Sequence, residues 1–246
     1  MNSFDQAKAL LTYSKDLYTT IDASYQKSIE EQEVDVSLKI GIKNFMENVR
    51  SALDYTAKGL HTKYGIPTSK NIYFPYAWVG QSEVGYRNRI NSKIPGINNN
   101  PDVIDKLCDY QYFAHSQNYW MPLFMELNNE NKHEKLSPQY KEVKNKLDIC
   151  VNNIPVTSFS GDGSSKLILT NCTFSSIDFD GVQKSVHIDY QELSPNKPMD
   201  IENENLQQYV YTITSFYFTN NKQHVMRLLY DTLSGVSKIV EELSIL

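Results

Sequence analysis

Residues 42–60 read IKNFMENVRSALDYTAKGL. The apolar side chains of this stretch recur every three or four residues, which is the period of one face of an α-helix. The stripe consists of Ile42, Phe45, Val49, Leu53, Thr56 and Leu60. It predicts a long helix over residues 34–63, and Gly65 and Pro67 mark its end.

The same period continues on both sides of this stretch. Residues 4–31 predict a preceding helix, and the short join between the two long helices predicts an antiparallel α-hairpin. Residues 222–244 carry a strong apolar stripe and predict a C-terminal helix that packs on the N-terminal pair. Shorter helices are predicted to begin at Pro101 and near Pro122, and another over residues 137–151.

The periodicity changes in the second half of the chain. Residues 166–170, 186–190 and 208–214 are rich in β-branched and aromatic side chains with partial alternation. Glycine-containing turns at residues 161–163 and 180–181 separate these runs. The pattern predicts a small antiparallel β-sheet of three or four strands.

These elements together predict one α+β domain, mainly α, over residues 1–246. A helical bundle is expected over residues 1–152, with an irregular segment at residues 64–100. The small antiparallel β-sheet is then inserted before the C-terminal helix, within residues 155–218. A chain of this length can bury a sizeable core without disulfides or structural metals.

The composition excludes some classes of function. A net charge of −5 argues against a dedicated duplex DNA binder, although a local basic patch remains compatible with it. The three cysteines lie far apart, so free thiols in a reducing cytoplasm are expected. Neither a signal peptide nor a membrane span is predicted, and no motif calls for a metal or a cofactor. The 17 tyrosines predict either half-buried packing or a base-stacking surface.

The first candidate site lies where an apolar helical run meets a polar cluster. Residues 123–127 are mostly apolar, and Asn129, Lys132 and His133 follow them. A histidine can transfer protons, a lysine can neutralise a phosphate, and an amide can orient a substrate. These three residues are therefore the candidate catalytic residues. The alternative is an ordinary helix C-terminus, where Asn, Lys and His are favoured by the helix dipole.

A second set of residues is predicted to bind the substrate. Arg50 and Asp54 are four residues apart on the long helix, and Asn48 lies just before Arg50 on the same helix. Arg50 is expected to face the same cleft as His133 and to bind a phosphate or carboxylate there. Gln111 is expected either to help line a pocket or to be an exposed amide beside packed aromatic side chains. The alternative for the Arg50–Asp54 pair is a surface ion pair, which would contribute little to stability.

Three short motifs resemble a group of uncharacterised bacterial proteins. They are RSALDY at residues 50–55, the pair Phe74-Pro75, and the stretch from Leu127 to His133, which is preceded by Gln111-Tyr112. Their order and spacing over residues 44–136 are similar to that group, which resembles the HEPN superfamily of helical proteins. The resemblance implies a bacterial defence or toxin system, metal-independent cleavage of RNA, and a homodimer. The HEPN pattern places an arginine shortly before the histidine, and residues 126–129 contain none.

Three hypotheses follow. In the first, the protein is a metal-independent ribonuclease in which His133 is the general acid or base and Lys132 and Arg50 neutralise the phosphate. In the second, it is a non-catalytic binding or scaffolding protein, and the polar cluster ties two helices together. In the third, it is a small-ligand sensor with residues 64–100 as a lid.

Overall fold

The fold is α+β and mainly α, with antiparallel strands inserted before the C-terminal helix, as the sequence predicts. The computed structural model describes residues 2–31, 33–133, 138–161, 164–177, 181–195, 197–199 and 203–246, with the backbone alone at residues 131–133. These residues form two compact units. The helical unit runs to Tyr140 and includes Phe216–Leu246, and the β unit is Lys141–Ser215.

The described residues of the helical unit include six α-helices. They are α1 Ser3–Glu31, α2 Val36–Tyr64, α3 Glu83–Lys93, α4 Pro101–Asp109, α5 Trp120–His133 and α6 Val225–Ser244. Short 3-10 turns precede α4 and α5. Helices α1, α2, α4, α5 and α6 confirm predicted helices. The C-terminal helix starts three residues later than predicted, after Lys222 has taken a positive φ of 58°.

Helix α2 forms the centre of this unit. Asp35 caps its N-terminus: the carboxylate of Asp35 accepts the backbone N–H of Ser37 at 2.9 Å and so satisfies one of the open donors of the first turn. All six residues of the predicted stripe are buried. Helices α1 and α6 both pack against α2, so the predicted α-hairpin and the docking of the C-terminal helix are confirmed.

Two glycines allow close packing between helices. A Cβ at Gly59 of α2 would lie 2.6 Å from the ring of Phe4 on α1, and one at Gly235 of α6 would lie 2.2 Å from the indole of Trp120 on α5. Both distances are shorter than any normal contact. These positions therefore require glycine because an aromatic ring lies directly on the helix backbone.

A connecting segment, residues 65–78, runs from α2 without regular secondary structure. Several hydrogen bonds hold its backbone, and three of them lie at Phe74, Pro75 and Ala77. Asp54 accepts the N–H of Phe74 at 2.9 Å, Gln111 accepts the N–H of Ala77 at 2.8 Å, and the hydroxyl of Tyr86 donates to the carbonyl of Pro75 at 3.2 Å. The irregular stretch is shorter than the predicted 64–100, because Ser82 caps the N-terminus of α3 within it.

The β unit contains a strand where the sequence predicts a helix. Residues 137–151 were predicted as a helix, but β1 spans Gln139–Val151 and pairs with β2, Ile154–Gly161, in antiparallel register. Asn152 and Asn153 form the two-residue turn between them, with φ of 54° and 62°. Such a turn requires positive φ at both positions, and asparagine accepts it readily. The backbone groups of β1 bond to β2 in this hairpin, so they are not available for the hydrogen bonds of a helix.

The remaining strands confirm the predicted β runs. They are β3 Leu167–Ile177, β4 Gln183–Leu193 and β5 Leu206–Phe218. Strands β3 and β4 pair as an antiparallel hairpin, and the other three form a sheet in the order β2-β1-β5. The described strands thus form two small sheets rather than the single sheet expected. Their shared core contains Leu147, Ile149, Val151, Val186, Ile188, Leu193 and Met199.

Candidate nucleic-acid interface

Arg50 and Asp54 form a largely buried ion pair on α2. The guanidinium Nη2 lies 3.2 Å from Oδ1 of Asp54, and Nε donates to Oδ2 at 3.3 Å. The two side chains are only 12% and 20% exposed, so this pair is unlike an ordinary surface ion pair. Asp54 also accepts the N–H of Phe74, and Arg50 contacts the sulfur of Met125 on α5. The pair therefore joins α2 to the connecting segment and to α5.

Tyr76 lies between two arginines. Its ring centroid is 5.4 Å from the guanidinium carbon of Arg50 and 5.9 Å from that of Arg89, which are cation–π distances. The amide of Asn129 lies 3.5 Å from the Tyr76 hydroxyl, at the limit of a hydrogen bond. One aromatic ring thus brings together side chains from α2, α3 and α5.

Arg89 extends this arrangement to the surface. Its guanidinium carbon lies 4.3 Å from the ring centroid of Trp78, and that indole is 50% exposed. The guanidinium also donates to the carbonyl of Tyr76 and, at 3.3 Å, to the side chain of Gln81. Burial lowers the pKa of Arg89 from its ordinary value. We refer to Tyr76, Trp78, Arg89 and Asn129 as the aromatic–arginine surface.

The predicted site residues fall in different places. Asn129 is exposed on the aromatic–arginine surface, and Asn48 is half-buried on α2. Gln111 is 1% exposed, and its amide accepts the N–H of Ala77 and donates to the carbonyl of Leu107, so it supports the connecting segment. The side chains of Lys132 and His133 lie outside the described residues. The backbone of α5 continues through both positions.

Sequence reasoning missed three members of the surface: Tyr76, Trp78 and Arg89. A usable signal was present, since Tyr76-Ala77-Trp78 places two aromatic residues on alternate positions of an irregular segment. The partner Arg89 lies eleven positions beyond Trp78 and reaches it only because α3 folds back over the segment. No local spacing rule predicts that contact.

A separate cleft of about 160 Å³ lies between α4 and α6. Glu242 there receives the ammonium of Lys106 at 2.6 Å and the hydroxyl of Tyr110 at 2.8 Å. These contacts hold the pKa of the Glu242 carboxyl below its usual range, with Lys106 as the larger cause. The cleft is lined by charges that neutralise each other, so we assign it no ligand.

Neither the protein-family models, nor the curated proteins, nor the solved structures include a significant match to this chain. Within the described ranges, no three His, Cys, Asp or Glu side chains come together as metal ligands. None of the described helices is both long and apolar enough to span a bilayer. Function must therefore be inferred from the geometry of the site.

Proposed function

We propose that the helical unit binds single-stranded RNA on the aromatic–arginine surface, without cleaving it. The observation that carries this proposal is the half-exposed indole of Trp78 beneath the guanidinium of Arg89. An exposed aromatic ring offers a stacking platform for a base, and an arginine beside it offers charge to the adjoining phosphate. Nonspecific single-strand binding proteins combine the same two elements.

Hydrogen bonds around Trp78 hold its ring in place. Arg89 is tied to the backbone of Tyr76, and the backbone of Ala77 is tied to the buried Gln111. Trp78 is therefore carried by residues whose positions are already determined before a ligand arrives. Preorganisation of this kind reduces the entropy that binding must overcome.

Single-stranded RNA fits the electrostatics better than duplex DNA does. The chain carries a net charge of −5, so a long phosphate backbone would be repelled by most of its surface. A short single strand needs only a local cation and a stacking face. Tyr76 contacts the same Arg89 as Trp78 does, and its hydroxyl and the amide of Asn129 offer partners for a ribose 2′-hydroxyl.

The Arg50–Asp54 pair favours binding over catalysis. A catalytic arginine must present its guanidinium to the scissile phosphate, whereas Arg50 is held by a carboxylate and is 12% exposed. This network supports the hypothesis in which the polar cluster ties α2 to α5. Residues 126–129 also contain no arginine.

The resemblance to HEPN-like proteins extends the proposal. It suggests a role in a bacterial defence or toxin system and a homodimer as the working form. A cytoplasmic location is part of the same proposal, because Cys108, Cys150 and Cys172 form no disulfide. A protein partner or a small ligand at the same surface is the alternative.

Fluorescence anisotropy of the full chain tests the proposal. A labelled single-stranded RNA, the single-stranded DNA of the same sequence and a DNA duplex would each be titrated with protein over a series of salt concentrations. We expect the RNA to bind most tightly, with a logarithmic salt slope of about −0.7 for each phosphate neutralised. Equal binding of the duplex, or no binding of RNA at low salt, would refute the proposal.

A further inference from the structure

A second cleft lies beside the Arg50–Asp54 pair, between α2 and residues 71–73 of the connecting segment. Its volume is about 290 Å³, close to the lower end of the range for small-molecule sites. The residues that matter for its chemistry are Ser51, Asp54, Tyr55, Lys58, Asn71 and Tyr73. None of them belongs to the aromatic–arginine surface.

One wall of this cleft is a face of α2. Ser51, Tyr55 and Lys58 follow at intervals of four and three residues, which places them on one side of the helix. The ammonium of Lys58 lies 4.8 Å from the ring centroid of Tyr55. The cation therefore lies over an aromatic ring that also lines the cleft.

The other wall is Tyr73, and its position is determined by its two neighbours. Ile72 and Phe74 are buried, at 8% and 1% exposure, whereas Tyr73 between them is 43% exposed. Asp54 in addition holds the N–H of Phe74. The phenol ring is thus presented to solvent by a backbone that is anchored on both sides.

The charge of the cleft favours an anion. Asp54 lines it, but Arg50 binds both of its carboxylate oxygens and neutralises that charge. The net charge of the cleft is then positive, because it comes from the ammonium of Lys58. Asn71 and Ser51 add amide and hydroxyl groups, which form hydrogen bonds with the edge of a base.

We propose that this cleft binds one nucleotide, with the base stacked on Tyr73, its edge bonded to Asn71 and Ser51, and its phosphate beside Lys58. The inference deepens the proposed function and rests on it where the nucleotide belongs to a bound RNA. Tyr73 and Trp78 are five residues apart on one extended segment, so their backbones are at most about 18 Å apart. A strand of a few nucleotides can therefore reach both rings.

The test uses the full chain and two kinds of ligand. Binding of the four nucleoside monophosphates would be followed by ligand-observed saturation-transfer NMR, with inorganic phosphate as the control ligand. Binding of a short single-stranded RNA would be followed by anisotropy. The variants are Tyr73→Ala, Tyr73→Phe and Lys58→Ala, and the matched controls are Tyr13→Ala and Lys15→Ala on α1.

We expect the monophosphates to bind wild type and both control variants. Tyr73→Ala should weaken this binding by roughly 5- to 150-fold, the range for loss of one stacked base. Tyr73→Phe should retain it because the ring is kept, and Lys58→Ala should weaken it because the cation beside the phosphate is lost. Circular dichroism melting would verify that each variant is folded.

The outcomes separate the cleft from the proposed function. If RNA binds but monophosphates do not, or if Tyr73→Ala binds them as wild type does, the nucleotide cleft is refuted and RNA binding stands. If monophosphates bind through Tyr73 while RNA does not, the cleft is supported as a site for free nucleotides and RNA binding is refuted.

Discussion

The guanidinium of Arg89 lies 4.3 Å from the ring centroid of Trp78, across the gap between α3 and the connecting segment. Such a cation–π contact contributes about 0.5–2 kcal/mol, depending on how far it is desolvated. Its importance here is geometric. It holds an exposed indole in a defined orientation next to a positive charge, which is the arrangement that stacking on a nucleobase needs.

Loss of the Asp54 carboxylate should destabilise the helical unit. Asp54→Ala removes the partner of the largely buried Arg50 and leaves the N–H of Phe74 unsatisfied. We expect the free energy of unfolding in urea to fall by about 1–3 kcal/mol. Asp231→Ala is the matched control, because its i,i+4 partner Arg227 is 75% exposed, and that change should cost less than about 0.5 kcal/mol. Equal losses of stability in the two variants would contradict the conclusion that Asp54 joins α2 to the connecting segment.

Substitution of Gly235 should loosen the packing of α5 on α6. A Cβ there would lie 2.2 Å from the indole of Trp120, so Gly235→Ala forces the helices apart. We expect a loss of about 1–3 kcal/mol, measured by thermal or urea unfolding. Gly85→Ala serves as the control, since Gly85 is exposed on α3 and its Cβ would meet the hydroxyl of Ser82 at 3.3 Å and the side chain of Gln81 at 3.8 Å. If Gly235→Ala is as stable as wild type, the indole of Trp120 does not pack directly on the backbone at Gly235.

Stability should depend on pH through His224. Its Nδ1 accepts the N–H of Arg227 at 3.3 Å and caps α6, and its Nε2 lies 3.2 Å from the hydroxyl of Tyr25. The ring of Tyr217 also packs against it. Burial lowers the pKa of His224 from its ordinary value of 6.5, so the folded state binds the proton more weakly than the unfolded state. This contribution is complete above pH 6.5 and is lost as the pH falls through the lowered pKa of the folded state.

Substitution of this histidine gives the measurement. Protonation of Nδ1 would remove the cap, which contributes about 1 kcal/mol at a typical helix N-terminus. His224→Asn keeps a capping side chain that does not titrate. Urea unfolding of wild type and of His224→Asn would be compared at several pH values below neutrality. The wild type should lose more stability than the variant as the pH falls, and parallel curves would exclude His224 as the cause.

Cleavage of RNA is not expected. Purified wild type and His133→Ala would be incubated with total RNA and with tRNA, with and without EDTA, and resolved on a denaturing gel. We expect intact RNA in every lane, because Arg50 is held by Asp54 and residues 126–129 supply no other arginine. Metal-independent cleavage that His133→Ala abolishes would overturn the non-catalytic proposal and establish an enzyme.

The fold was predictable wherever one local period dominated. The stripe from Ile42 to Leu60 forecast α2, because a helix that buries one face must repeat its apolar residues at that spacing. The helix predicted over residues 137–151 was wrong because Tyr140, Val143 and Leu147, which lie on strand β1, also fit a helical spacing. Two features of the sequence indicate a strand: the alternation of Leu147, Ile149 and Val151, and the turn that follows them. In a segment this short, the strand pattern and the helical pattern fit the same residues.

The candidate site was less predictable than the fold. The spacing of Arg50 and Asp54 correctly indicated a pair, but their burial depends on Phe74 and Met125, which are distant in sequence. The contact between Trp78 and Arg89 likewise depends on how α3 returns across the connecting segment. Tertiary contacts of this kind leave no periodic trace in the sequence.

The most direct test of the central claim is the affinity of Trp78→Ala for single-stranded RNA, compared with wild type and with Tyr230→Ala. Tyr230 lies on α6 and is 56% exposed, which makes it a matched control for the loss of a surface aromatic ring. RNA binding through the aromatic–arginine surface predicts that Trp78→Ala raises Kd by roughly 5- to 150-fold while Tyr230→Ala leaves it unchanged. Wild-type affinity in Trp78→Ala would contradict the claim.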